Sequence, residues 1–232
     1  MTLRKGVQKI YMEVAKTYEL VNHVLTLGLD IRWRKKAART ASQTGGQLWL
    51  DVCSGTGEMA HTLSAYADDG VTICAVDFSF PMLKRAMKKK NTRNISPIIA
   101  EAGVLPFPDK SLDLVTISFA TRNLNPRKEI LVSYMKEFHR VLKTGGFFVN
   151  LETSQPSNKI IRKLFHLYVK WIVRSLGWIL SGSKAGYRYL SYTIPRFYSM
   201  EEFSEVLELS GFTPVTCQRL FLGISAIHMA KK

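Results

Sequence analysis

The sequence has few of the features that mark secreted or membrane-spanning chains. Cysteine is rare, with Cys53, Cys74 and Cys217 among 232 residues, and their wide spacing fits neither a disulfide framework nor a zinc site. Because all three lie in apolar stretches, we expect reduced core residues. No apolar segment follows residues 1–5, and no apolar run reaches the roughly 18 residues that a spanning helix requires. These absences predict a cytoplasmic protein without a membrane-spanning helix.

Acidic residues are also scarce: 18 Asp and Glu stand against 33 Lys and Arg, which gives a formal net charge of +15. None lies between Thr153 and Met200. The basic residues of that aromatic-rich segment are Lys159, Arg162, Lys163, Lys170, Arg174, Lys184, Arg188 and Arg196. A field of this size attracts anionic surfaces, and charge alone does not choose between nucleic acid and lipid headgroups.

The hydrophobic content of 46% is that of a globular chain with one sizeable core. From residue 48 to residue 151, short apolar runs alternate with helical periodicity, which is typical of a parallel sheet covered by helices. The predicted strands are residues 48–52, 71–76, 95–100, 112–118, 147–151, 214–219 and 224–229. The sequence therefore predicts an α/β fold with a seven-stranded, mostly parallel sheet.

We expect a single domain over residues 1–232. Its parts are a helical N-terminal extension (1–45), a cofactor-binding half (46–153), a basic amphipathic lid (154–198) and a C-terminal helix with a strand pair (199–232).

Two helices are predicted in the N-terminal extension. Apolar spacing indicates the first over residues 7–22, and the second runs from Asp30, as its N-cap, to about Thr40. We expect the cations of the second helix, Arg34 among them, to be solvated. Further along, Gly145 is predicted to cap the helix that precedes the fifth strand.

The glycine loop after the first strand is the most informative stretch. Its residues are Asp51, Val52, Cys53, Ser54, Gly55, Thr56, Gly57 and Glu58. A dinucleotide loop spaces its glycines as G-x-G-x-x-G and presents the N-terminus of a helix to a pyrophosphate. Here the last glycine is Gly57, and the acidic residue Glu58 begins the helix. A sulfonium that carries an amino-acid tail suits Asp51 and the bare backbone better. The loop indicates S-adenosylmethionine rather than NAD, with no metal.

Ligands of open α/β sheets bind at the carboxyl ends of the strands, which selects further residues. Asp77 can accept hydrogen bonds from the two ribose hydroxyls, or it can cap the next helix. Phe78 can pack on adenine, or it can be a core residue. Glu101, followed by Ala102, can accept from an adenine amino group or be a surface acid. The fourth strand ends at Ser118.

Several motifs together resemble the UbiE/COQ5 family, class I methyltransferases that C-methylate ubiquinone and menaquinone precursors. The motifs are D-V-C-S-G-T-G at 51–57, L-P-F-P-D at 105–109, I-S-F-A-T-R-N at 117–123 and Y-R-Y-L at 187–190. The resemblance covers almost the full length and implies a Rossmann-like fold. It also implies cofactor contacts by Thr56, Asp77, Glu101, Ala102 and Ser118, and a substrate pocket with Arg122 and Asn123. Asp30 departs from the family, where a histidine is usual, as do Glu19, Val21, Glu101 and Thr144.

Methyl transfer to an aromatic carbon needs an electron-rich ring, such as a hydroquinone held as its phenolate. Arg122 suits this task as a fixed cation, Asn123 as a partner of the ring oxygen, and Tyr18 as a group that closes over the site. The plain alternative for Arg122 and Asn123 is a salt bridge with a cap. His228, otherwise a core histidine, and Glu152 are reserve candidates for the proton acceptor.

The basic segment predicts an amphipathic helix over residues 159–180, with a stripe of cations and a wide apolar face. It can lie on an anionic membrane and bring a prenylated quinol, or a related isoprenoid ring lipid, to the site; the alternative is a lid that only packs on the domain. We expect a peripheral protein on the inner face of the membrane. The sequence does not decide between a monomer and a homodimer. One rival function is an RNA methyltransferase, which is disfavoured because the cations alternate with Ile, Leu and Val. The other is a catalytically inactive lipid-binding protein, which the intact glycine loop and Asp77 disfavour.

Overall fold

The computed structural model describes residues 17–89 and 94–232. Most of the helix predicted over residues 7–22 lies outside the described residues, and so does the side chain of Tyr18. The described part of that helix belongs to α1, Tyr18–Leu25. All seven predicted strands fall within the described ranges.

A seven-stranded sheet forms the centre of the fold. Its strands are β1 Leu48–Val52, β2 Thr72–Asp77, β3 Ile95–Ile99, β4 Leu112–Ser118, β5 Leu142–Thr153, β6 Val215–Leu220 and β7 Ser225–Lys231. The order is β3-β2-β1-β4-β5-β7-β6, with β1 to β5 parallel and β7 antiparallel to its neighbours. The predicted Rossmann-like sheet is confirmed. The order reverses between β1 and β4, so a ligand crevice opens at their carboxyl ends.

Helices pack on both faces of this sheet, as the continuous apolar runs of its inner strands require. After α1 they are α2 Leu29–Ser42, α3 Glu58–Ser64, α4 Phe80–Ala86, α5 Lys128–Val141, α6 Lys159–Tyr168, α7 Arg174–Ser181, α8 Lys184–Thr193 and α9 Met200–Leu209. One core contains Phe138 of α5 and Phe203 of α9. The core on the opposite face contains Trp33 of α2 and Met59 of α3.

The prediction that Gly145 caps the helix before β5 is wrong. Helix α5 ends at Val141, and Leu142 is already extended because it pairs with Leu112 of β4. Gly145 instead has a φ of +83° within β5. Pairing with β4 therefore begins the strand at Leu142, before Gly145 could cap the helix.

The predictions for Asp30 and Arg34 are also wrong. Helix α2 begins after Gly28, whose φ is +74°, and Asp30 lies buried inside the first turn. Arg34 is only 5% exposed, and its Nη1 donates to Asp30 Oδ2 at 2.6 Å. The four-residue spacing puts the acid and the cation on the same, inward face of the helix.

Residues 159–181 form one helical rod in which a π-helical turn, Val169–Val173, joins α6 to α7. One face of the rod packs on α1 in a third apolar cluster, whose members are Val21, Leu25, Phe165, Val169, Val173, Leu176, Tyr187, Leu190 and Ile194. The hydroxyl of Tyr168 donates to the carbonyl of Leu25. The basic segment therefore packs on the N-terminal helix by one face.

The cysteines are all unpaired, but only Cys74 is buried. Cys217 is exposed, which corrects the expectation of a core residue, because it lies on β6 at the edge of the sheet, whose middle residues face solvent. Within residues 17–89 and 94–232, no helix combines the length and apolar character needed to cross a bilayer.

Candidate active site

A cavity of about 650 Å³ opens at the carboxyl ends of β1, β2 and β4. Its polar and glycine wall is formed by Arg34, Ser54, Gly55, Thr56, Glu58, Asp77, Glu101, Ser118, Asn123 and Arg127. Its apolar wall is formed by Cys53, Met59, Val76, Phe78, Met82, Ala100, Ala102, Ala120, Leu124, Pro126, Ile130 and Tyr134. All of the predicted cofactor residues except Asp51 and Gly57 therefore line this one cavity.

The loop after β1 takes its shape from left-handed backbone. The φ angles of Cys53, Gly55 and Gly57 are +54°, +56° and +77°. A Cβ on Gly57 would lie 2.7 Å from the Cβ of Ala86, so only glycine fits there. A Cβ on Gly55 would meet nothing within 4 Å. Gly57 therefore shapes the loop from behind, while the backbone at Gly55 is open to a ligand.

Asp51 also supports the loop from behind the wall, contrary to the predicted ligand contact. It is 1% exposed, and Thr116 Oγ1 donates to its Oδ1 at 3.0 Å. Burial raises the pKa of Asp51 to about 7, although hydrogen bonds from Ser54 and Thr116 act in the opposite direction. The pleat of β1 directs this side chain into the sheet core instead of toward the crevice.

Asp77 is held rigidly at the tip of β2. Its Oδ2 accepts the N–H of Gly55 at 2.9 Å and its Oδ1 accepts the N–H of Ser79 at 2.8 Å. The second bond helps to start α4, as the capping alternative requires, yet Asp77 also lines the cavity. Burial raises the pKa of this carboxyl, and the charge of Glu101 adds to the effect. Each oxygen has a further lone pair with which it can accept a ribose hydroxyl.

The loop after β4 brings Asn123 to the cavity wall but not Arg122. The guanidinium of Arg122 is buried, and its Nη1 donates to Glu152 Oε1 at 2.6 Å and to the carbonyl of Phe119 at 2.9 Å. Glu152 also accepts the backbone N–H of Arg122 and of Thr153. The expected open cation is therefore a buried ion pair, because an acid on the neighbouring strand neutralises it.

The reserve proton acceptors also lie away from the wall. His228 is buried against Phe203, its Nε2 is 3.0 Å from the carbonyl oxygen of Met200, and burial lowers its pKa. It is a core histidine. Glu152 is occupied by Arg122 as described above. The side chain of Tyr18 lies outside the described residues.

Three charged residues that were not predicted as site residues line the cavity: Arg34, Glu58 and Arg127. Arg34 Nη2 and Glu58 Oε2 lie 3.0 Å apart. The four-residue spacing from Asp30 to Arg34 is the signal that could have indicated a buried pair. Ile130 and Tyr134 of α5 were missed as well, although the same spacing places both on one helical face.

The cavity wall is acidic in a chain with a net charge of +15. Glu58, Asp77 and Glu101 face it, together with the cations Arg34 and Arg127. An acid at the start of α3 disfavours a phosphate, whereas a sulfonium with a ribose and an amino-acid tail matches this set of charges. The open backbone at Gly55 and the oriented Asp77 also fit that group. Fold and site together define a class I, S-adenosylmethionine-dependent methyltransferase.

Comparison with known proteins agrees with this class and narrows it. The model of the ubiE/COQ5 methyltransferase family matches residues 2–232, and the chain belongs to that family. A demethylmenaquinone methyltransferase of Lactobacillus johnsonii is 35% identical over 98% of this chain and 93% of its own length. A demethylmenaquinone methyltransferase of Staphylococcus aureus is 32% identical over 99% of this chain and 94% of its own length. The family resemblance is confirmed.

Solved structures support the fold. A SAM-dependent methyltransferase from Thermotoga maritima has a TM-score of 0.62 at 18% identity, over 96% of this chain and 99% of its own. A SAM-dependent methyltransferase from Aquifex aeolicus has a TM-score of 0.57 at 18% identity, over 84% of this chain and 88% of its own. At these identities the likeness concerns architecture alone.

Proposed function

We propose that this enzyme transfers the methyl group of S-adenosylmethionine to a ring carbon of a prenylated quinol of the demethylmenaquinol type. The observation that carries the proposal is the near-full-length similarity to two relatives named demethylmenaquinone methyltransferase. The cavity supports it, since Leu124, Pro126 and Ile130 line one side of it and suit an aromatic ring.

When bound, the cofactor supplies an electrophilic methyl group on a cationic sulfur. The residues of this chain bind and orient it. Asp77 accepts from the ribose hydroxyls, Glu101 accepts from the adenine amino group beside Ala102, and Phe78 packs on the adenine ring. The loop from Ser54 to Thr56 and Ser118 complete the cofactor wall. These roles are supported by the presence of all these residues in the lining of one cavity.

The substrate ring is held by the loop after β4. Asn123 donates to the ring oxygen and keeps the reacting carbon in line with the methyl group, and such positioning can contribute about 7–11 kcal/mol. Arg122, neutralised by Glu152, positions that loop instead of acting as an open cation.

We further propose that the enzyme collects its substrate at an anionic membrane surface. The face of the 159–181 rod that does not pack on α1 is apolar and exposed, with Leu164 at 61%, Trp171 at 62% and Ile179 at 73%. Exposed lysines accompany these residues along α6 and the π-helical turn. Each Lys or Arg near an anionic leaflet contributes about 1 kcal/mol of binding. Packing and lipid contact are compatible because they use different faces.

The same cations would serve an RNA methyltransferase, but their surroundings favour lipid. Lys170 lies over the ring of Trp171, with 5.2 Å between its Nζ and the ring centroid, and exposed Ile and Leu side chains flank the lysines. A surface that binds nucleic acid places aromatics among polar groups, and apolar side chains such as these are suited to the acyl boundary of a bilayer.

The test of the chemistry uses purified protein, S-adenosylmethionine and a reduced demethylmenaquinone in liposomes. Mass spectrometry should detect a product that is one methyl group heavier. Asn123→Ala should lower the turnover by about 10²-fold or more, since a misplaced ring loses the benefit of positioning. Asn125→Ala is the matched control, because Asn125 lies two residues further on and is absent from the cavity wall. Absence of methylation with the reduced quinone, or equal activity of both variants, refutes the proposal.

The test of membrane contact is flotation with vesicles of neutral and of anionic lipid. Wild type should float with anionic vesicles, and binding should weaken as salt rises. The variant with both Trp171→Ala and Trp178→Ala should stay at the bottom of the gradient. Leu209→Ala is the control, since Leu209 is 59% exposed but lies on α9, outside the lid. Retention of RNA in place of flotation would select the rival function.

A further inference from the structure

A cluster of charged side chains lies where α1 and α2 meet the glycine loop. Asp30 Oδ2 contacts His23 Nδ1 at 2.8 Å and Arg34 Nη1 at 2.6 Å. Glu58 contacts His23 Nε2 at 3.3 Å and Arg34 Nη2 at 3.0 Å. Arg34 and Glu58 also line the cavity, whereas His23 and Asp30 are not among its lining residues. The cluster therefore contributes two charged side chains to the lining of the cofactor cavity.

The spacing of His23, Asp30 and Glu58, with ligand atoms within 4.8 Å of one another, is compatible with a metal ion. Arg34 opposes that reading because its guanidinium already bonds both carboxylates. A fixed cation at this position repels a second one. The cluster is therefore an ion-pair network in which the charge of Arg34 opposes a metal ion.

Arg34 has a donor that no residue in the described part of the chain uses. The residue is 5% exposed, and its guanidinium lies 5.1 Å from the ring centroid of Phe119. Within the part of the chain that the structure describes, its Nε has no hydrogen-bond partner. A buried N–H without an acceptor is costly, so a buried guanidinium on a cavity wall with a spare donor indicates an anionic ligand group.

We propose that Arg34 and Glu58 receive the zwitterionic amino-acid tail of the cofactor. Arg34 binds its carboxylate and Glu58 its ammonium group. The inference rests on S-adenosylmethionine as cofactor and assigns two charged lining residues that the proposed contacts with the nucleoside do not use. The ligand exchanges the single Arg34–Glu58 pair for two new ones, so no buried charge is left unpaired. Asp30 holds Arg34 in place throughout.

The experiment compares two ligands by calorimetry. S-adenosylhomocysteine carries the amino-acid tail, and 5′-deoxy-5′-methylthioadenosine has the same nucleoside and thioether without it. Arg34→Met should weaken binding of the first by about 10- to 100-fold, as loss of a charge-assisted bond predicts, and change the second by less than about threefold. Glu58→Gln should act in the same direction. Arg32→Met is the matched control, since Arg32 is exposed on the same helix.

A variant with both Asp30→Asn and Arg34→Met serves if Arg34→Met alone unfolds, because it leaves no unpaired buried carboxylate at residue 30. Equal losses for both ligands, or no loss for either, overturn the proposal and assign the cluster to folding alone. Failure of the wild-type protein to bind either ligand is a different result, because it removes the cofactor assignment itself.

Discussion

Replacing Glu152 by alanine should strongly destabilise the fold, because it leaves the Arg122 guanidinium buried without its counter-charge. The side chains of Arg122 and Glu152 are 5% and 2% exposed, and their closest atoms lie 2.6 Å apart. Breaking such a pair from one side costs about 3–5 kcal/mol. Native stabilities are about 5–15 kcal/mol, so a large fraction of the free energy of unfolding is at stake.

Urea unfolding followed by circular dichroism measures the effect. With a slope of about 1–3 kcal/mol per molar urea, the midpoint should fall by at least about 1 M. Lys143→Met is the matched control: Lys143 pairs with Asp113 at the same distance of 2.6 Å but is 47% exposed. Exposed pairs contribute about 0–1 kcal/mol, so its midpoint should hardly move.

A double-mutant cycle then isolates the pair. A variant with both Arg122→Met and Glu152→Met lacks both charges of this pair. Compared with the single variants Arg122→Met and Glu152→Met, it should be more stable than the sum of the two single losses predicts, by at least about 1 kcal/mol. A loss of less than about 1 kcal/mol in Glu152→Ala, or strict additivity in the cycle, would refute the reasoning. The loop that carries Asn123 would then not depend on this pair.

Three further predictions concern backbone, titration and lid packing. Gly57→Ala should lower the free energy of unfolding in urea by about 1–3 kcal/mol and weaken S-adenosylhomocysteine binding in calorimetry, because the new Cβ would lie 2.7 Å from the Cβ of Ala86. Gly70→Ala is the control and should bind normally, since its Cβ would have nothing within 4 Å. The pKa of Asp51 is about 7 in the folded protein, above its ordinary value of 3.8, so its contribution to stability is present below the lower value and lost as the pH rises through the upper one. Asp51→Asn should remove that part of the fall in the urea midpoint between about pH 4 and pH 7. Gly177→Ala should loosen the lid, since its Cβ would lie 2.0 Å from a ring atom of Tyr187, and limited proteolysis should then cut within residues 159–196 faster than in wild type.

The sheet was predictable because its inner strands are buried on both faces and read as continuous apolar runs. Two strands, Leu48–Val52 and Leu112–Ser118, were predicted with the bounds that the structure has. Position at a strand end also selected Asp77 and Asn123, since topology alone brings the carboxyl ends of parallel strands to one edge. Neither selection needed knowledge of distant contacts.

The wrong predictions for Arg34, Arg122 and Cys217 share a physical reason. Arg34 stands among other cations and was predicted to be solvated. Its local partner Asp30 could have indicated burial, but its second partner, Glu58, follows another strand. Arg122 reads as an open cation, but its partner Glu152 lies thirty residues further on, on β5. Cys217 reads as a core residue, but sheet order places its strand at the edge. In each case the deciding partner is distant in sequence, and single-sequence patterns report only local neighbours.

The chain separates its charges in a way that its proposed substrates explain. The lid has no acidic residue between Thr153 and Met200, and most of its cations are exposed. The cavity lining instead carries three acids, Glu58, Asp77 and Glu101, against two cations, Arg34 and Arg127. An anionic membrane surface is attracted over distances set by the Debye length of about 10 Å, whereas a cationic cofactor is recognised at contact. A basic lid and an acidic cavity are therefore complementary to two partners of opposite charge, and a uniformly basic chain could recruit only the first.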